Sequence, residues 1–225
     1  MDKHESQTVS PNPTSRFLAC GLAIAAGLLR LVPHPFNFAP VGALGLFGGA
    51  RLGLGLALVL PVAVMAGSDL LLWKISGFSP FNPYVYASFL LNVVLGRLFL
   101  RSGSAWRIGA VSLLTSLQFF LITNFGVWLA SSAEAYPMPD GKALVIETKP
   151  GEPFQTFHFA RTLPGLLACY GVALPFFGTD APPLGFLGNQ VVGDLFFCGL
   201  LFGLQAALQA SVFARRRTQP AILVR

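Results

Sequence analysis

Charge is scarce in this sequence. Only 11% of its 225 residues are Asp, Glu, Lys or Arg, where a soluble domain carries about a quarter. With nine acidic residues and three histidines, a carboxylate- or imidazole-rich catalytic centre has little to draw on. Catalytic signatures are missing too: there is no G-x-x-x-x-G-K-[ST], no H-E-x-x-H, no G-x-S-x-G and no C-x-x-C. The chain therefore hydrolyses no nucleotide by a recognised motif, and uphill transport by it would draw energy from a partner or a gradient. It is expected not to be an enzyme and to need no cofactor or metal. Cys20 and Cys198 lie in apolar runs without metal-ligand spacing and read as buried small hydrophobes.

Apolar residues fill the space that charge leaves. They make up 54% of the chain, 21 of them Phe, and the mean hydropathy is +0.66. At this length the expectation is one all-α membrane domain. Seven apolar runs can be read, at 17–33, 36–50, 53–73, 85–100, 108–131, 162–178 and 190–214. The first has no convincing small-x-small cleavage site followed by a soluble domain and is expected to be a retained helix rather than a signal peptide.

Charge decides which runs cross. The net +6 sits largely in Arg97, Arg101 and Arg107 and in Arg215–Arg217, a pattern of topology control. Basic residues interleaved with aromatics on a solvated face are absent, which excludes a nucleic-acid partner. If the first five runs and the last cross, Arg51 and both arginine groups face the cytoplasm, while Lys74 and the loop 132–161 face out. Seven crossings would put the Arg triplet on the wrong side. Six spanning helices are therefore expected, with 162–178 re-entrant or surface-lying on the outer side. Residues 1–16 read as a flexible cytoplasmic tail, 17–214 as the membrane domain and 215–225 as a basic cytoplasmic tail. Within the polar loop, "ALVIET" is a candidate short strand.

In such a chain the informative residues are polar ones kept in or near the bilayer, where an unpartnered carboxylate costs about 2–3 kcal/mol. On this topology Asp69, Asn124, Trp128, Asn189 and Asp194 lie toward the outer ends of their runs. His34 and Asn37 fall on the first outer loop, Asn82, Tyr84 and Tyr86 on the second, and Cys169 and Tyr170 on the outer helix. The candidate substrate site is His34, Asn37, Asp69, Tyr86, Asn124, Trp128, Tyr170, Asn189 and Asp194. Against it stands the ordinary use of Asp and Asn as caps and of Trp and Tyr as interfacial belts. The inner half holds small residues instead. Ala19, Ala23 and Gly27 form one stripe, and Gly45, Gly49 and Gly53 another; each suits packing within the bundle or docking of a partner.

Four stretches, "RLVPHPFNFAPVGALGLFGGA", "FFLITNFGVWL", "TLPGLLACYGVALPFF" and "GDLFFCGLLFG", resemble an uncharacterised family of membrane transport proteins. That family is in turn similar to the substrate-binding S components of energy-coupling factor (ECF) transporters. The wider likeness rests on six spans, on Phe47, Gly48, Gly49 and Gly53, and on Leu174, Pro175, Phe176, Asn189 and Gln190. It implies a six-helix bundle in a bacterial inner membrane that binds a vitamin or metal-containing ligand near its outer face. It also implies docking on a transmembrane coupling subunit driven by two ATPases, through an A-x-x-x-A stripe that falls here on Ala19 and Ala23. Some relatives work alone, as solitary vitamin B12 transporters do. Cys169 then becomes a candidate soft contact for a cobalt corrinoid. In the nearer family a Tyr-Pro runs almost directly into "T-x-x-GLL-x-CY", whereas here residues 138–161 intervene.

The reading is a multi-pass transport protein, an ECF-type substrate-binding subunit or solitary permease, with both termini cytoplasmic. The alternative is a membrane scaffold or assembly factor that binds another membrane protein through its small-residue faces. A membrane-embedded enzyme ranks last, since no nucleophile–base pair is visible.

Overall fold

Proline and capping residues set the helix starts. Asn82 accepts a hydrogen bond from the Tyr84 amide at 2.9 Å with Pro83 beside it, and Thr162 accepts from the Gly165 amide at 3.2 Å with Pro164 next in line. The computed structural model describes residues 13–32, 37–76, 81–102, 104–130, 144–146, 156–174 and 185–218. Among them are seven helices: α1 (Pro13–Leu29), α2 (Val41–Arg51), α3 (Leu54–Ser76), α4 (Pro83–Phe99), α5 (Ala105–Ala130), α6 (Leu163–Ala173) and α7 (Gly185–Thr218). Two short strands, β1 (Leu144–Ile146) and β2 (Thr156–His158), pair antiparallel with Val145 opposite Phe157. The segment "ALVIET" supplies β1.

Each expected apolar run holds a helix, and the boundaries move for physical reasons. The first helix ends at Leu29 and tightens into i→i+3 turns at Arg30 to Val32, because Pro33 disfavours helical backbone in the residue before it. The second is helical only from Val41. At 11 residues it is about 16 Å long, half the ~30 Å of a hydrocarbon core. The last runs on to Thr218 and takes Arg215–Arg217 into the helix, since arginine is a good helix former and cations suit a helix C-terminus.

α2 sits at the centre. Every residue from Val41 to Ala50 is buried, with α1, α3, α4, α5 and α7 packed around it. It crosses α4 backbone to backbone. A Cβ on Gly49 would overlap the Val93 carbonyl, and one on Gly96 would overlap the Leu46 carbonyl. Gly45 lies on Asn92, where an added Cβ would sit 2.9 Å from Asn92 Cβ. Phe47 meets Phe202 of α7 edge to face at 5.2 Å.

The first helix's small residues are used inside the same bundle. Ala19 and Ala23 have no exposed surface, and a Cβ on Gly27 would overlap Val64 of α3. The stripe expected to dock a partner therefore packs within this chain.

Polarity is inverted relative to a soluble protein. Ser88, Asn92, Ser116, Gln190 and Asp194 are buried, while Phe17, Ile75, Leu98 and Trp106 are exposed. Among the described residues three helices are long and apolar enough to cross a membrane: Leu54–Ile75, Ala105–Ala130 and Leu187–Ser211. One end of the bundle is basic. Arg51 donates to the Arg101 carbonyl at 3.0 Å and lies over the Phe202 ring at 5.0 Å, and Arg16 lies beside Gly53. At the opposite end α1, α3 and α4 meet around Arg30, Asp69 and Tyr86.

Candidate functional site

The candidate residues do not form one constellation; the structure sorts them into three clusters. The first joins the ends of α1, α3 and α4. Asp69, 5% exposed, places Oδ1 2.6 Å from Arg30 Nη1 and accepts a hydrogen bond on Oδ2 from the Tyr86 hydroxyl at 2.7 Å. The Arg30 guanidinium also donates to Ser68 Oγ, and Ser68 in turn donates to the Met65 carbonyl at 2.9 Å. Phe81 covers the Tyr86 ring at 5.1 Å. Burying this carboxylate is tolerable because a cation and a phenol both meet it. Arg30 was not among the expected site residues. Its signal was present all the same: a lone arginine at the end of the first run away from Arg51 and Arg101 runs against a charge bias that gathers arginines at one end.

The second cluster lies between α5 and α7, against the start of α2. Asp194 is 1% exposed. Its Oδ2 accepts from Ser116 Oγ at 2.8 Å and from Gln190 Nε2 at 2.7 Å. Its Oδ1 has no donor and lies on Gly42, at a spot that any side chain there would occupy. Among the described residues the ion pair is Arg30–Asp69, so neutral groups alone surround Asp194. Gln190, Asp194 and Cys198 follow one another at four-residue spacing on α7, as Ser112 and Ser116 do on α5, which makes a polar seam. Asn189, 3% exposed, joins the buried layer beside Gln190.

Asn37 belongs to this neighbourhood as a turn residue. Its φ of 61° is left-handed, which Asn tolerates better than most. The residues after it bring Phe38 onto α7, with ring centroids 5.4 Å from Phe197. Gly193 allows that approach, since a Cβ there would meet the Phe38 backbone at 3.2 Å. A further amide pair, Gln118 Nε2 donating to Asn92 Oδ1 at 2.8 Å, links α5 to α4. Nothing in an unbroken apolar run marks which way such amides point.

The third cluster fastens α6 to α5. Trp128 Nε1 donates to the Ala160 carbonyl at 2.8 Å, Tyr170 Oη to the Leu121 carbonyl at 2.9 Å, and Cys169 Sγ to the Asn124 carbonyl at 3.4 Å. Asn124 donates to Phe120 within its own helix at 2.8 Å. Arg161 donates to the Leu129 carbonyl at 2.9 Å, one of the acceptors left open where α5 ends. Each of these polar groups is engaged with backbone. His34 lies outside the described residues. Among the described residues no group of three or more His, Cys, Asp or Glu is placed to hold a metal ion.

A family description matches residues 11–218, nearly the whole chain. The chain belongs to DUF6580, a family of unknown function. No curated protein and no solved structure shows a match. The likeness to ECF S components thus has no named relative or structural neighbour behind it. All three clusters fall within the matched span, but the family description assigns no activity. Function has to be argued from the clusters themselves.

Proposed function

We propose that the chain is a membrane transport protein that captures a small molecule from the outer face. One observation carries the reading: two carboxylates are buried in a bundle whose exterior is apolar, Asp69 against Arg30 and Tyr86 and Asp194 among neutral side chains. Ionisable groups kept at such cost mark ligand or ion pathways by default. In this proposal six helices cross, α2 completing its passage with the residues before it. Contact between Arg51 and Arg101 supports a common cytoplasmic end for the α2–α3 and α4–α5 turns, in a bacterial inner membrane with both termini inside. The substrate is vitamin-like or metal-containing and enters between the Asp69–Tyr86 cluster and the α5–α6 aromatics. An ECF-type coupling subunit with ATPases is the partner in one version; the other is a solitary permease.

The test is thermal unfolding of the purified protein against a panel of vitamins, corrinoids and metal ions, because a ligand selective for the folded state raises the melting point by mass action. Asp69→Asn and Asp194→Asn should weaken the stabilising ligand. No stabilisation, together with stoichiometric co-purification of a membrane partner lacking ATPases, would replace transport with the scaffold reading. That alternative has lost its first docking faces, since Ala19, Ala23, Gly45 and Gly49 are buried within the chain.

A further inference from the structure

At the basic end, the turn between α4 and α5 opens into a groove of about 400 Å³. Arg101, Ser102 and Arg107 give it a polar rim, and Leu98, Phe99 and Trp106 line its apolar side. The apolar side is open: Leu98 is 68% and Trp106 72% exposed. Two features make it more than an interfacial depression. The first is uncompensated charge. Among the described residues the only acidic side chains are Asp69, paired with Arg30, and Asp194, enclosed by Ser116 and Gln190. Among the described residues no carboxylate therefore meets Arg51, Arg97, Arg101 or Arg107, and buried nitrogens of two of them, Arg51 Nε and Arg97 Nη1, have no acceptor there. The second is a fixed frame. Arg51 Nη1 holds the Arg101 carbonyl, and α5 begins just past the turn, presenting the amides of its first turn to the same end.

We propose that this groove binds an anionic phospholipid, with the headgroup phosphate between Arg101 and Arg107 and an acyl chain along Leu98, Phe99 and Trp106. Two guanidiniums beside an apolar wall at the end of crossing helices match a lipid phosphodiester better than a soluble anion, which has no use for the wall. The site is independent of the transport reading.

The experiment measures thermal stabilisation of the detergent-purified full chain by phosphatidylglycerol and by phosphatidylcholine, with glycerol phosphate as a soluble arm. The lipids that co-purify are weighed by mass spectrometry. The expected result is half-maximal stabilisation at an at least about tenfold lower concentration of phosphatidylglycerol than of phosphatidylcholine. That preference should be lost in R101Q/R107Q, with little effect of glycerol phosphate and enrichment of anionic lipid on the wild-type protein. Equal response to both lipids overturns the proposal, as does a preference that survives in R101Q/R107Q. Glycerol phosphate matching the lipid would make the site an anion site instead. Should the double variant fail to fold, co-purified lipid on the wild type decides alone: no enrichment over the host membrane refutes the site.

Discussion

At the scale of residues, the two buried carboxylates are partnered differently and should respond differently. Arg30→Ala leaves Asp69 buried without its cation, and should cost about 3–5 kcal/mol of stability in detergent unfolding. R30M/D69L should recover most of that loss, since an apolar pair of similar volume often replaces a buried ion pair at little cost. If the double variant is no more stable than Arg30→Ala, an uncompensated Asp69 charge is not the source of the loss. For Asp194 the neighbours matter more than the charge. Asp194→Ala strips the acceptor from Ser116 and Gln190, which should cost about 1–3 kcal/mol. Asp194→Asn keeps an acceptor oxygen and should melt above the alanine variant. Both carboxylates were legible in the sequence because their burial is expensive enough to demand a reason. Their partners were less so. Ser116, Gln190, Asn92 and Gln118 are neutral and sit in runs whose apolar residues face every direction, so no periodicity reveals which side carries them.

At the scale of elements, glycine positions separate into those that hold helices together and those that do not. Gly49→Ala and Gly96→Ala drive a methyl into a backbone carbonyl across the α2–α4 crossing, and each should cost about 3 kcal/mol or more. Gly21→Ala and Gly109→Ala meet nothing within 4 Å and should be neutral, or stabilising by up to about 1 kcal/mol from helix propensity. Thermal unfolding of the four variants checks the contrast. At the other end of α5, Trp128→Phe removes the bond to the Ala160 carbonyl, worth about 1 kcal/mol. Trypsin should then cut after Arg161 about fivefold faster, if local opening limits cleavage. The helix count could be read directly from the apolar runs. So could the shortness of α2, which begins immediately after Pro40 and ends at Arg51. Its enclosure could not, because an apolar stretch looks the same whether it faces lipid or is enclosed by protein.

At the scale of the whole molecule, the two ends of the bundle can be told apart by chemistry. Arg16, Arg51 and Arg101 gather at one, and the Arg30–Asp69–Tyr86 cluster occupies the other. With Cys20, Cys169 and Cys198 replaced by Ser, a Ser102→Cys probe should be labelled by a membrane-impermeant thiol reagent only from the cytoplasmic side. A Thr162→Cys probe should be labelled only from the outside. The opposite labelling, or both from one side, would overturn the six-crossing topology. The spread of positive charge made this polarity legible. What it could not convey was that the bundle is organised around one short helix rather than as a ring of equals. That enclosure bears on how the protein is made. α2 is made well before α7, yet it is the α7 face bearing Asp194 that closes over Gly42. For most of synthesis α2 therefore has an open flank, and it is too short to span lipid by itself. A nascent chain released before Gly185 should leave α2 open to protease, and the full-length chain should not. The bundle closes only when α7 arrives.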